Sequence, residues 1–245
     1  MKTPMIPGGL TIVVPAFNEA ERLPATLPRF ASFCDARPDT DVLIVNDGSE
    51  DDTGGVIEAF ARQHPVVRAI HNTSNHGKGH ALRQGVMAVT REWILLTDAD
   101  LSTPLDEIDN LFDAANSGDA PIAIGSRAID RRLVRVRQLA AREWSGRFFN
   151  LVMRTITGLP YRDTQCGFKL YRRDAARIVF PRQRLNGFAA DVENLMTARV
   201  HGLRVVEVPV RWDNVEGTRV DLQSGGRAFV DLFLVRANAM RGLYR

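Results

Sequence analysis

Trp93-Ile94-Leu95-Leu96-Thr97-Asp98-Ala99-Asp100 is the stretch that decides the fold of this 245-residue chain. The first five residues are short, continuously apolar and without helical spacing, which predicts a parallel strand buried on both faces. Two carboxylates then stand at its C-terminal end, where open α/β sheets bind ligands. Mg²⁺ takes one or two carboxylates together with phosphate oxygens and water. An Asp-x-Asp pair on a strand exit therefore points to a metal-bridged diphosphate. A plain turn is the competing reading, because Asp favours strand-to-loop turns through local hydrogen bonds.

Working outward, strand and helix signals alternate. Strands are predicted at Leu10–Val14, Val42–Asn46, Val66–Ile70, Trp93–Thr97 and Ile122–Gly125. Helices are predicted between them at Glu19–Phe33, Val56–Gln63, His80–Val89 and from Pro104 onward, Pro being suited to a first helical turn. This order implies an α/β fold with a mostly parallel central sheet and helices on both faces. The second half is less regular. It predicts a helix over Glu143–Thr157, a strand over Gly167–Tyr171, a helix over Ala189–His201 and a strand over Leu203–Val208. The tail, Arg227–Tyr244, sets Phe229, Leu232, Phe233, Val235 and Met240 between Arg227, Arg236 and Arg241. That pattern suits either a core-packing helix or one lying in a membrane interface.

Composition is that of a soluble globular chain, 44% apolar and 25% charged, with a net charge of only +3. The arginines are uneven: Arg127, Arg131, Arg132, Arg135, Arg137, Arg142, Arg147 and Arg154 fall together with few acids among them. Such a segment favours an anionic partner: phosphate, nucleic acid or an acidic membrane surface. No nucleic-acid-binding module is present, so nucleic acid is not the expected partner. Cys34 and Cys166 form neither a metal-binding pair nor a disulfide framework. The N-terminal apolar run is too short for a signal peptide and is broken by Pro and Gly. No stretch approaches the roughly 20 apolar residues of a spanning helix. The expected location is peripheral, at the cytoplasmic face of a membrane.

Three strand ends in the first half carry polar residues: Pro15-Ala16-Phe17-Asn18-Glu19, Asn46-Asp47-Gly48-Ser49 and the Asp98/Asp100 pair. As C-terminal ends of parallel strands they face one crevice. Asp47 can accept from a base or a ribose. A turn at Asn46–Ser49 and a first-turn helix acid at Glu19 are the structural alternatives. Gly77-Lys78-Gly79 precedes a helix, where glycines admit close backbone approach and free N–H groups suit a phosphate. It lacks the spacing of a Walker loop.

These residues, with Gly125-Ser126-Arg127, resemble the family 2 glycosyltransferases of the GT-A fold. The later series narrows the resemblance. Asp163-Thr164-Gln165-Cys166-Gly167-Phe168-Lys169, Gly187-Phe188-Ala189-Ala190-Asp191-Val192-Glu193, Val208-Pro209-Val210 and Val215-Glu216-Gly217-Thr218-Arg219 are similar to the dolichyl-phosphate β-glucosyltransferase branch. The ordered series covers about residues 10 to 220. There are two departures: eukaryotic members carry an N-terminal membrane helix that is not seen here, and Ala190 replaces a usual aromatic.

The resemblance implies inverting transfer of glucose from UDP-glucose to a polyprenyl phosphate. It implies a catalytic domain over residues 1–221 and an amphipathic helix over 222–245. Asp47 would hold the base, Asp98 the ribose and, with Asp100, the Mg²⁺ or Mn²⁺. Pro15, Phe17, Glu19, Gly77, Lys78, Ala99 and Arg219 would complete the substrate contacts. Asp191 would sit near the acceptor, and Arg127 and Arg142 would hold the lipid phosphate. Chemistry agrees: a phosphate monoester, with a second pKa of about 6, needs positioning cations rather than a base. Three alternatives stay open: mannose from GDP-mannose, a hydroxyl acceptor such as a glycolipid, and nucleotide-sugar binding without turnover.

Overall fold

The computed structural model describes residues 6–136, 152–213 and 222–245. Its centre is a seven-stranded sheet formed by β1 (Leu10–Ala16), β2 (Thr40–Asn46), β3 (Val67–His71), β4 (Trp93–Leu96), β5 (Ile122–Ser126), β7 (Lys169–Arg172) and β8 (Val205–Pro209). The strand order is β3-β2-β1-β4-β7-β5-β8. Every neighbouring pair is parallel except the two that involve β7, which runs antiparallel between β4 and β5. A second, two-stranded sheet pairs β6 (Val134–Val136) with β9 (Trp212–Asp213).

Side chains alternate across the strands, and both faces are dry. Leu10, Ile12, Val14, Val42, Ile44, Trp93 and Leu95 enter one hydrophobic cluster. Val13, Leu43, Ile94, Leu96, Ile122 and Ile124 enter the other. Helices α1 (Leu23–Asp35) and α4 (Ile108–Ser117) pack on the first face. The second face takes α3 (Lys78–Ala88), α6 (Arg173–Val179), α7 (Ala190–Val200) and part of α8 (Leu222–Met240). Two more helical pieces complete the fold: α2 (Thr53–Ala61) and α5, residues 152–157. The fold class is the expected one.

The differences lie at boundaries and in the second half. The first helix starts at Leu23, not Glu19, because Pro24 belongs to a first turn and Asn18 holds a left-handed φ of 55°. Pro28 lies inside that helix, a cost of about 3 kcal/mol. Leu23, Leu27 and Phe30 are fully buried, at about 1.5–3 kcal/mol each, and outweigh it. Pro104 caps a short 3₁₀ turn, Leu105–Glu107, ahead of α4. The sequence reading had no helix at Arg173–Val179 and gave no direction for β7. Of the expected helix at Glu143–Thr157, only residues 152–157 are described, and they are helical.

Helix α8 is two-sided. Leu232 and Val235, with Tyr244 beyond its end, are fully buried in the second cluster. Val230, Phe233, Leu234 and Met240 are exposed. No helix among the described residues is long and apolar enough to cross a membrane.

Gly85 shows how closely α3 meets the sheet. A Cβ there would lie 2.5 Å from Val13 Cγ1 and 3.0 Å from Val45 Cγ2. Gly85→Ala gains about 1 kcal/mol of helix propensity. Overpacking two buried β-branched side chains costs about 1–3 kcal/mol. Chemical denaturation of Gly85→Ala should therefore show net destabilisation. A gain in stability would show that the helix–sheet contact is looser than described.

Candidate active site

The loops after β1, β2 and β3 are stitched to one another. Asn18 N–H donates to Ser49 Oγ (2.9 Å), and Asn18 Oδ1 accepts from Glu50 N–H (2.8 Å). Asn46 Oδ1 accepts from the Ser49 backbone and hydroxyl, an Asx-type turn. Asp47 is almost wholly buried and accepts three bonds: Asn72 Nδ2 (2.8 Å), His76 N–H (3.1 Å) and Gly77 N–H (2.7 Å). Its carboxylate thus locks the entry to Gly77-Lys78-Gly79. Glu19 pairs with Arg22 at 2.6 Å. Pro15 lies within β1, and Phe17 is exposed just beyond it.

The glycines flanking Lys78 do meet a close neighbour, and it is protein. Gly77 has φ 103°, and a Cβ on it would lie 2.6 Å from Asn186 O. A Cβ on Gly79 would lie 2.5 Å from Ala190 Cβ. The small side chain at Ala190 therefore belongs with Gly79. The Asn186 carbonyl also accepts from His80 N–H at 3.2 Å, so one first-turn donor of α3 is already satisfied. Glu193, on α7, accepts from Arg184 N–H, Leu185 N–H and the Tyr244 hydroxyl, fixing this loop from below.

At the exit of β4, Lys78 Nζ donates to Asp98 Oδ1. Burial pushes the Asp98 carboxyl up, but the Lys78 ammonium, with Lys169 and Arg127 behind it, holds it below the ordinary carboxylate range. A Cβ on Gly167 would sit 2.2 Å from Asp98 Oδ2, so any larger residue there would displace the Asp98 carboxylate. Ala99 is buried, and Asp100 Oδ1 accepts from Ser102 N–H at 2.9 Å. Asp98 and Asp100 both line a small, partly open space of ≈ 20 Å³, bounded also by Thr103, Arg127, Cys166 and Trp212. That is roughly the room of one water. Among the described residues, the second carboxylate oxygens of Asp98 and Asp100 accept no hydrogen bond. No cluster of three or more metal-ligating side chains exists among the described residues. The donor set therefore suits a hard cation that takes its other ligands from phosphate and water. It does not suit a closed zinc site.

Arg127 leaves β5 and forks onto Asp163, with Nε to Oδ2 at 2.7 Å and Nη2 to Oδ1 at 2.9 Å. Its guanidinium lies 5.7 Å from the centre of the Trp212 ring. Asp163 is buried; burial raises its pKa, but Arg127 outweighs this and holds it below the usual range. Asp191, in the first turn of α7, is also nearly buried. Its Oδ1 accepts from Lys169 Nζ, and Lys169 donates as well to Cys166 O at 2.7 Å. Lys169 and Asp163 were not singled out as site residues from sequence. The available signal was a Lys, Lys169, flanked by Phe168, Leu170 and Tyr171 in a stretch that reads as a strand. Arg142 and Arg219 lie outside the described residues.

The structure thus brings Lys78 and Asp191, from the first turns of α3 and α7, to the edge of the sheet where Asp98, Asp100 and Arg127 follow β4 and β5. Glycosyl transferase family 2 matches this chain over residues 11–180, and the chain belongs to that family. A dolichyl-phosphate beta-glucosyltransferase of Trichomonas vaginalis is 32% identical, with 96% of this chain and 72% of that protein covered. The human dolichyl-phosphate beta-glucosyltransferase is also 32% identical, over 96% of this chain and 77% of its own length. Among solved structures, the glucosyl-3-phosphoglycerate synthase of Mycobacterium tuberculosis, in complex with Mn²⁺, UDP-glucose and phosphoglyceric acid, superposes with a TM-score of 0.65. It is 16% identical, with 95% of this chain and 80% of that one covered. A mannosyltransferase from Pyrobaculum calidifontis, in complex with GDP-Man and Mn²⁺, gives 0.59 at 19% identity, over 95% and 64% of the two chains. The fold is GT-A.

Removing Arg127 strands a buried carboxylate, so Arg127→Met should destabilise by about 3 kcal/mol at neutral pH. Asp163 has a depressed folded pKa. The stability it contributes is present above its unfolded value, near 4, and is lost as pH falls through the lower folded value. Without Arg127, burial leaves the Asp163 carboxyl above its ordinary value, so the wild-type advantage in thermal denaturation should begin to shrink as pH falls through that raised value and keep shrinking down to the lower wild-type one. A gap that stays constant into acid would exclude the ion pair as its source.

Proposed function

We propose that this chain transfers glucose from UDP-glucose to the phosphate of a polyprenyl lipid, giving a β-linked product. The observation that carries the reading is the continuity of the dolichyl-phosphate beta-glucosyltransferase likeness through 96% of the chain. In this reading Asp47 serves the base side of the donor, and Pro15, Phe17, Glu19, Gly77 and Ala99 line its path. Asp98 and Asp100 hold Mg²⁺ or Mn²⁺ on the diphosphate. When bound, that ion supplies Lewis-acid neutralisation of the leaving diphosphate. Lys78 keeps the Asp98 carboxylate ionised and aimed outward.

The acceptor needs no deprotonation, since a phosphate monoester is largely dianionic at neutral pH. It needs fixed cations. Arg127 offers a planar guanidinium already oriented by Asp163. Arg142 and Arg219 complete the cationic set in this proposal. Helix α8 is its membrane-facing element. Exposed Val230, Phe233, Leu234, Met240 and Leu243 interleave with exposed Arg236, Arg241 and Arg245. Apolar burial in the interface and attraction to anionic lipid would act together.

The deciding assay incubates the chain with UDP-glucose or GDP-mannose and with polyprenyl phosphate or diacylglycerol, in Mg²⁺ or Mn²⁺. Glucosyl transfer from the UDP donor to the lipid phosphate is expected. Mannosyl transfer, or transfer to the hydroxyl lipid alone, would overturn the assignment. Asp100→Asn should lower the rate by about a hundredfold, equivalent to about 2.7 kcal/mol of barrier, with unchanged thermal stability. EDTA should do the same to the wild type, and full activity under either condition would refute the metal role.

Anionic vesicles should capture the protein reversibly, and less at high salt. Phe233→Ser with Met240→Ser should weaken capture without lowering the melting temperature, since both side chains are exposed. Unchanged capture would exclude α8 as the membrane face.

A further inference from the structure

We infer that Lys169 is a positioning residue of this transferase: its buried ammonium ties Asp191 to the turn that seats Asp98. The inference rests on the proposed acceptor-side role of Asp191. Lys169 is fully buried, and Asp191 is nearly so. The register places Lys169 opposite Leu96 of β4 and Ile124 of β5. Those strands run on to Asp98 and Arg127 respectively. The lysine therefore lies in the floor between the two halves of the site.

Its contacts define what it does there. Nζ donates to Cys166 O at 2.7 Å and to Asp191 Oδ1. Gly167, the next residue after Cys166, lies against Asp98 Oδ2. One ammonium thus joins the turn under the donor-side carboxylate to the helix bearing the acceptor-side carboxylate. A buried ion pair is poor stabilisation, since apolar replacement of both partners is often neutral or better. Its use here is geometric. The field of Lys169 also reaches Asp98 and Asp163 and favours their charged forms.

The test is a double-mutant cycle with Lys169→Met, Asp191→Asn and the combined variant. It reads melting temperature, UDP affinity by calorimetry, and kcat and KM for each substrate. Lys169→Met should lower kcat at least about tenfold while UDP affinity stays within about threefold. In the Asp191→Asn background the same change should cost less than about twofold, because Lys169 acts through Asp191. An equal loss in both backgrounds, or no loss in the wild type, would overturn the inference. If Lys169→Met does not fold, the combined variant leaves no unpaired buried charge. Its kcat should then match that of Asp191→Asn, and wild-type turnover would mark the pair as merely structural. If the wild type transfers nothing to polyprenyl phosphate, the acceptor assignment has failed. The cycle is then read on UDP-glucose hydrolysis, with the same two outcomes deciding Lys169.

Discussion

The insertion of β7 between β4 and β5 is the constraint on which the rest of the molecule depends. An antiparallel strand at that place starts where its two neighbours end. The turn leading into it, Cys166–Phe168, is thereby pressed against the exit of β4. That closeness sets Gly167 directly against the Asp98 carboxylate and delivers a lysine at 169 to the floor of the site. A wholly parallel sheet would carry this turn to the opposite edge.

Charge at the site is arranged as pairs. Lys78 with Asp98, Arg127 with Asp163 and Lys169 with Asp191 stand along one sheet edge. Each acid is oriented by its own cation, so a bound anion meets side chains that are already placed. The cost of ordering is met during folding rather than at binding, which is the physical meaning of preorganisation. Exposure differs usefully among them. Asp98 keeps 42% of its side-chain surface, whereas Lys169 keeps none. The first can meet a ligand, and the second can only hold its neighbour.

Helices α7 and α8 connect this edge to the far end of the chain. Asp191 and Glu193 lie two residues apart on α7. One takes Lys169, while the other holds the loop at Arg184–Leu185 and the Tyr244 hydroxyl. The buried side of α8 is therefore part of the enzyme's core, while its outer side remains apolar and arginine-flanked. The buried face bears out the core-packing reading of this tail, and the exposed face is the one that the proposed interfacial role would use.

What the sequence determined by itself was local. Apolar runs without helical spacing marked the strands, and Asp98-Ala99-Asp100 stood at one exit because parallel strands end where ligands bind. The family and the GT-A fold followed from motif order. Tertiary structure decided what periodicity does not encode. The side-chain pattern of a strand as short as Lys169–Arg172 carries no direction, so the reversal of β7 was invisible. Gly77 and Gly79 read as room for a phosphate, yet the close approach is to Asn186 and Ala190. Lys169 and Asp191 lie 22 residues apart, and only the packing of α7 over the sheet makes them an ion pair. Contacts between distant residues depend on how elements stack, and no local pattern records that.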